Sequence, residues 1–113
     1  MSNHYNTDQL KEVAGGDEDF MGVVAQAFLE EIPPDLEALQ EAIDNDNREL
    51  AYQFAHKMKP NIEMFGIAVL KDITHIESWT KTSKNRSHIE EELENVVTTL
   101  HQVFKELKTD FDL

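Results

Sequence analysis

Leu50 to Gly66 reads LAYQFAHKMKPNIEMFG. Leu50, Phe54, Met58 and Ile62 recur at every fourth position, with Ala51, Ala55 and Phe65 beside them. That spacing predicts a helix that buries one face. At about 100° per residue, His56 points away from the apolar stripe. Tyr52, Lys59 and Glu63 share its outer face. An imidazole held outside an anchored helix, one turn from a lysine, is placed to act as a nucleophile.

The same stretch carries a family resemblance. Ala55-His56-Lys57-Met58-Lys59, with Gly66 ten residues after the histidine, resembles the histidine phosphotransfer (HPt) motif. That motif is H-x-x-K, a small residue, and later a hydrophobic-Gly pair. His56 matches the phosphoryl-accepting histidine, Lys59 the lysine and Phe65-Gly66 the closing pair. Pro60 departs from it, standing where the family has glycine. Proline has no N–H for the His56 carbonyl and its ring crowds that carbonyl, so a bend or loosening is expected beside the histidine. The resemblance extends over Asp8 to Leu107, taking in Phe28-Leu29-Glu30-Glu31 and the Leu36 to Ile43 periodicity.

The resemblance implies an all-α fold: an antiparallel up-down four-helix bundle with an additional short N-terminal helix. It implies a phosphoryl carrier that takes phosphate from a receiver-domain aspartate and passes it to another receiver. Such a carrier is not an enzyme with its own turnover and needs no cofactor, since Mg²⁺ belongs to the receiver. His56 would be the acceptor and Lys59 would offset phosphate charge. Tyr52, Lys57 and Glu63 would lie on the docking face, and Pro60 and Gly66 would shape its surroundings. The family orients its histidine with an acid or amide on the following helix. Glu77 is the first candidate here and Ser78 the next, with Glu63 a further option that reads equally as a solvated helix charge. Taken singly, a surface histidine or lysine carries no function; the assembled motif singles these out.

Composition sets the outer limits. The chain has 113 residues, the length of one domain, 1–113. Apolar residues are 40% and charged residues 29%, ordinary for a globular protein. With no cysteine there is no disulfide frame, thiolate chemistry or cysteine zinc site. No run reaches membrane-spanning length and no signal core opens the chain, so a cytoplasmic protein is expected; a monomer is expected as well. The starting methionine and polar lead point to a separate gene product. The net charge of −13 opposes nucleic acid and anionic membrane as partners. Yet Lys57, Lys59, Lys71, Lys81, Lys84 and Arg86 face only Glu63, Asp72 and Glu77 between Ala51 and Ile89. This basic island is either uneven scatter or a place where a phosphoryl group and an acidic partner pocket approach.

Along the chain, residues 1–6 read as a loose lead and His4 as a solvated residue without role. Thr7 or Asp8 starts a short helix that Gly15-Gly16 stops. Phe20, Val23, Val24, Ala27, Phe28 and Ile32 form the next stripe, and Pro33-Pro34 blocks a straight continuation or bends it. Leu36, Leu39, Ala42 and Ile43 follow, then the Asp44 to Asn47 turn. After the histidine helix, Ile73, Ile76 and Trp79 mark another, then a polar loop over 82–87. Ser87 and Glu90 spell a capping box for the last helix, whose stripe runs from Ile89 to Leu107. Residues 109–113 read as a tail.

His75, His88 and His101 lack the motif and read as surface or boundary residues. Asp72-x-x-His75 and His88-x-x-Glu91 faintly resemble metal pairs of bundles, but no second matching set exists, so no metal site is expected. No phosphate-cradling glycine loop is present, so the phosphoryl group must come from a partner. A non-catalytic helical adaptor docking through the same face, or a metal-binding bundle, are the alternative readings.

Overall fold

The computed structural model describes residues 4–113. Five helices follow in order: α1 (Asp8–Ala14), α2 (Glu18–Asp44), α3 (Arg48–Met64), α4 (Leu70–Trp79) and α5 (Glu90–Asp110). No strand occurs among the described residues. α2 packs on α3, α3 on α4, α4 on α5, and α5 closes back on α2. Short connections between sequential neighbours make this an antiparallel four-helix bundle, with α1 laid against α2.

Asp17 starts α2, its carboxylate accepting from the amides of Asp19 and Phe20. The helix then runs unbroken for 27 residues through Pro33 and Pro34. At 1.5 Å per residue it is about 40 Å long, close to the 45 Å long dimension of the molecule. Each proline costs about 3 kcal/mol in a helix interior. Phe28, Ile32, Leu36 and Leu39 are buried on both sides of the pair, and at about 2 kcal/mol each their burial outweighs that cost. The buried stripe differs from the expected one. Met21, Ala25, Phe28 and Ile32 face the core, while Phe20 and Val23 remain 43% and 65% exposed.

α3 buries Ala51, Ala55, Met58 and Ile62. The stripe is therefore turned from the expected Leu50–Phe54 line: Leu50 is exposed and Phe54 only half-buried. The alanines leave room for neighbouring helices to come close. Pro60 does not interrupt α3. Gly66 ends the helix at φ +57°, with its amide bonded to the Glu63 carbonyl and that of Ile67 to the Ile62 carbonyl.

The expectation of a loose lead is overturned for residues 4–6; residues 1–3 lie outside the described ones. The Asn6 amide donates to the Phe65 carbonyl at 2.8 Å. Tyr5 is buried edge-on against Phe65 and donates its hydroxyl to Asp110. Burial, reinforced by that carboxylate, pushes the Tyr5 phenol up from its ordinary pKa. His4 is not free either, bonding Glu106 through its amide and Nδ1. Hydrogen bonds and aromatic packing, both outside the helical period, tie the segment across the α3 end to α5.

Two further expectations need correction. Ser87 caps nothing: it lies in a 3₁₀ turn, Arg86–His88, whose cap is Asn85. α5 begins at Glu90 without a side-chain cap, its three first-turn glutamates facing the helix dipole. Residues 109 and 110 belong to α5 and are no tail.

Gly66→Ala is expected to lower stability by about 1–2 kcal/mol, because an L-residue at positive φ costs that order. A Cβ there would also overlap the Asn6 side chain. Urea unfolding midpoints of variant and parent check it.

Candidate functional site

The turned stripe of α3 leaves His56 on its outer side, with the imidazole 66% exposed. α4 lies alongside and presents Glu77. His56 Nδ1 is 2.6 Å from Glu77 Oε2, and Lys59 Nζ donates to Glu77 Oε1 at 3.0 Å. One carboxylate thus receives the imidazole and the ammonium, residues that sit nearly one turn apart on α3. No hydrogen bond engages Nε2 among the described residues.

Glu77 is only 14% exposed. Burial pushes its carboxyl up, but hydrogen bonds from Lys59 and His56, with their charge, outweigh that and hold its pKa below the ordinary value. A carboxylate so held stays ionised and accepts a hydrogen bond from Nδ1–H. Nε2 is then the ring nitrogen with a lone pair.

The other candidates separate. Ser78 is exposed one position along α4 and makes no bond to His56 among the described residues. Glu63 is exposed on α3. Lys57 turns to α2, where its Nζ meets Asp35 at 3.2 Å and Glu31 at 3.8 Å. Asp35 is a buried acid whose second oxygen has no partner among the described residues. Pro60 is exposed on α3. Gly66 lies at the helix end against the N-terminal segment. Tyr52 is stacked on the His56 ring, centroids 5.7 Å apart and planes 12° apart.

The basic island is partly spent on internal pairs. Lys57 and Lys59 are engaged as above, and Arg86 pairs with Asp44 at 2.5 Å. Lys81 lies over the Tyr52 ring, its Nζ 4.1 Å from the centroid. Lys81 was legible only as one of six bases; its position four residues after Glu77 was the available signal. Arg48 carried no signal at all. Its guanidinium stacks on Trp79 at 3.8 Å and donates to the carbonyls of Thr82 and Lys84. That clamp fixes the loop leaving α4.

His88 and His101 are exposed. His75 Nδ1 meets Glu92 at 2.6 Å; no lysine shares that carboxylate among the described residues. No group of three or more metal-ligating side chains occurs among the described residues, and no helix there is long and apolar enough to cross a membrane.

Because the native pKa of Glu77 is lowered, the stability it contributes is fully present above the ordinary carboxylate pKa and is lost as pH falls through the native value. Glu77→Gln is therefore expected to be less stable than the parent at pH 7, with the gap closing toward pH 3. Urea midpoints measured across that range check it.

The sequence profile of the Hpt domain family matches residues 23–110. No curated protein and no solved structure matches the chain. The profile covers most of the chain, α3 and its histidine included, and the fold is the helical bundle described above, so this chain belongs to the Hpt domain family.

Proposed function

We propose that this chain carries a phosphoryl group on His56, accepting it from a receiver-domain aspartate and delivering it to another receiver. Hpt domains are phosphotransfer carriers of two-component phosphorelays and not kinases. The observation that carries the residue-level reading is the shared Glu77 carboxylate. It accepts from His56 Nδ1 and from Lys59, and leaves an exposed ring with Nε2 unbonded among the described residues.

In the forward step, Nε2 attacks phosphorus of the aspartyl phosphate. The N–P bond forms, the acyl O–P bond breaks, and the electron pair leaves on the receiver's carboxylate. Positive charge grows on the imidazole and Glu77 stabilises it through the Nδ1 proton. Lys59 keeps Glu77 charged and brings an ammonium beside the arriving phosphoryl oxygens. Delivery runs the same path backwards to a second receiver. Mg²⁺ is supplied by the receiver. The carrier works as a cytoplasmic monomer, and its docking face includes Tyr52, Glu63 and the surface beyond Pro60, with Lys57 at the edge.

His56→Gln is expected to abolish uptake of acid-labile, base-stable phosphate from phosphorylated receivers, with little loss of stability because the side chain is exposed. Receiver-derived phosphate on the variant would refute the acceptor assignment. Retained receiver binding without any uptake by the parent would favour the adaptor reading.

Lys59→Ala is expected to slow transfer by about tenfold or more, the order of one charged contact to a transferring phosphoryl group. Pro60→Arg restores an N–H for the His56 carbonyl but adds bulk one turn from the ring. It should keep the fold and lose transfer, whereas Pro60→Gly keeps transfer. Stopped-flow transfer from a labelled receiver, with circular dichroism for folding, measures all three.

A further inference from the structure

The Tyr52 ring lies nearly parallel to the His56 ring, 5.7 Å between centroids. Tyr52 sits four residues before His56 on α3, where side chains meet on one helix face. Lys81, just beyond α4, places its ammonium 4.1 Å from the centre of the Tyr52 ring. That is within cation–π range. Lys81, Tyr52 and His56 are thus joined in series from α4 to α3. Glu77 holds one edge of the imidazole through Nδ1, but a single hydrogen bond leaves the ring free to swing about that contact. Stacking opposes the swing.

We propose that Tyr52, steadied by Lys81, is a positioning residue for the His56 imidazole. This rests on the reading of His56 as phosphoryl acceptor. Glu77 fixes the tautomer and Tyr52 the ring plane, so that Nε2 faces the incoming phosphorus along one line. The aromatic face also favours the positive charge that grows on the ring during attack. His75 supplies an internal contrast. It has a carboxylate on Nδ1 at the same 2.6 Å, but no aromatic ring stacks on it among the described residues.

The test compares Tyr52→Ala, Tyr52→Phe and Lys81→Ala with the parent, each checked for folding by circular dichroism. Two readouts are taken. Ring ¹³C relaxation of the free protein gives the mobility of the His56 imidazole without any partner. Single-turnover transfer from a phosphorylated receiver, followed over a range of receiver concentrations, gives the transfer rate constant and the half-saturating receiver concentration. In Tyr52→Ala the imidazole should become more mobile, and the rate constant should fall about tenfold with the half-saturating concentration changed less than about twofold, the signature of lost orientation. Tyr52→Phe keeps the ring and should restore both. Lys81→Ala should fall between. Parent-like ring mobility and rate constant in Tyr52→Ala overturn the proposal, as does a loss confined to the half-saturating concentration, which would make Tyr52 a docking contact alone. His56→Gln run beside it tests the acceptor separately: uptake there overturns the acceptor reading and leaves the mobility measurement standing.

Discussion

The rotation of α3 about its own axis is the constraint on which the site depends. Ala51, Ala55, Met58 and Ile62 are all fully buried, and burying that line rather than another turns His56 outward. Each of the larger side chains gains about 2 kcal/mol by burial, and no alternative rotation buries the same set. The alanines hold little hydrophobic area; their small size lets neighbouring helices pack close. α4 then comes near enough for Glu77 to span to His56 and Lys59 together.

That carboxylate joins structure to chemistry. A surface ion pair contributes little to stability. Glu77 is mostly buried, however, and has two donors, so its charge is held and its position defined. Lys59 is therefore bound to the same acid that holds His56.

The surroundings are built to hold this register. Trp79 ends α4 buried, its indole donating to the Asn85 carbonyl, with Arg48 stacked on it. Arg48 stands at the first turn of α3, so one guanidinium links the start of the histidine helix to the loop after the glutamate helix. At the other end, Gly66 and the Asn6–Phe65 hydrogen bond fasten the N-terminal segment over the end of α3. The helix bearing His56 is secured at both termini.

The sequence by itself determined the all-helical class, most helix starts and stops, and the outward direction of His56. Those follow from a period of 3.6 residues, glycine stops and polar turns, all of them local. The family resemblance carried by the H-x-x-K spacing pointed to His56 and Lys59, a motif contiguous in the chain. Tertiary structure decided the rest. Glu77, Ser78 and Glu63 were all open as partners of His56, because one residue of shift turns a helix by about 100° and only packing sets the shift. Packing likewise carried α2 straight through Pro33-Pro34, where local rules call for a break, since burial on both flanks outweighs two missing hydrogen bonds. It drew Tyr5 into the core, gave Lys57 to Asp35, and stacked Lys81 over Tyr52. Each of these joins residues distant in the chain, and their meeting depends on how the helices dock, which no local pattern records.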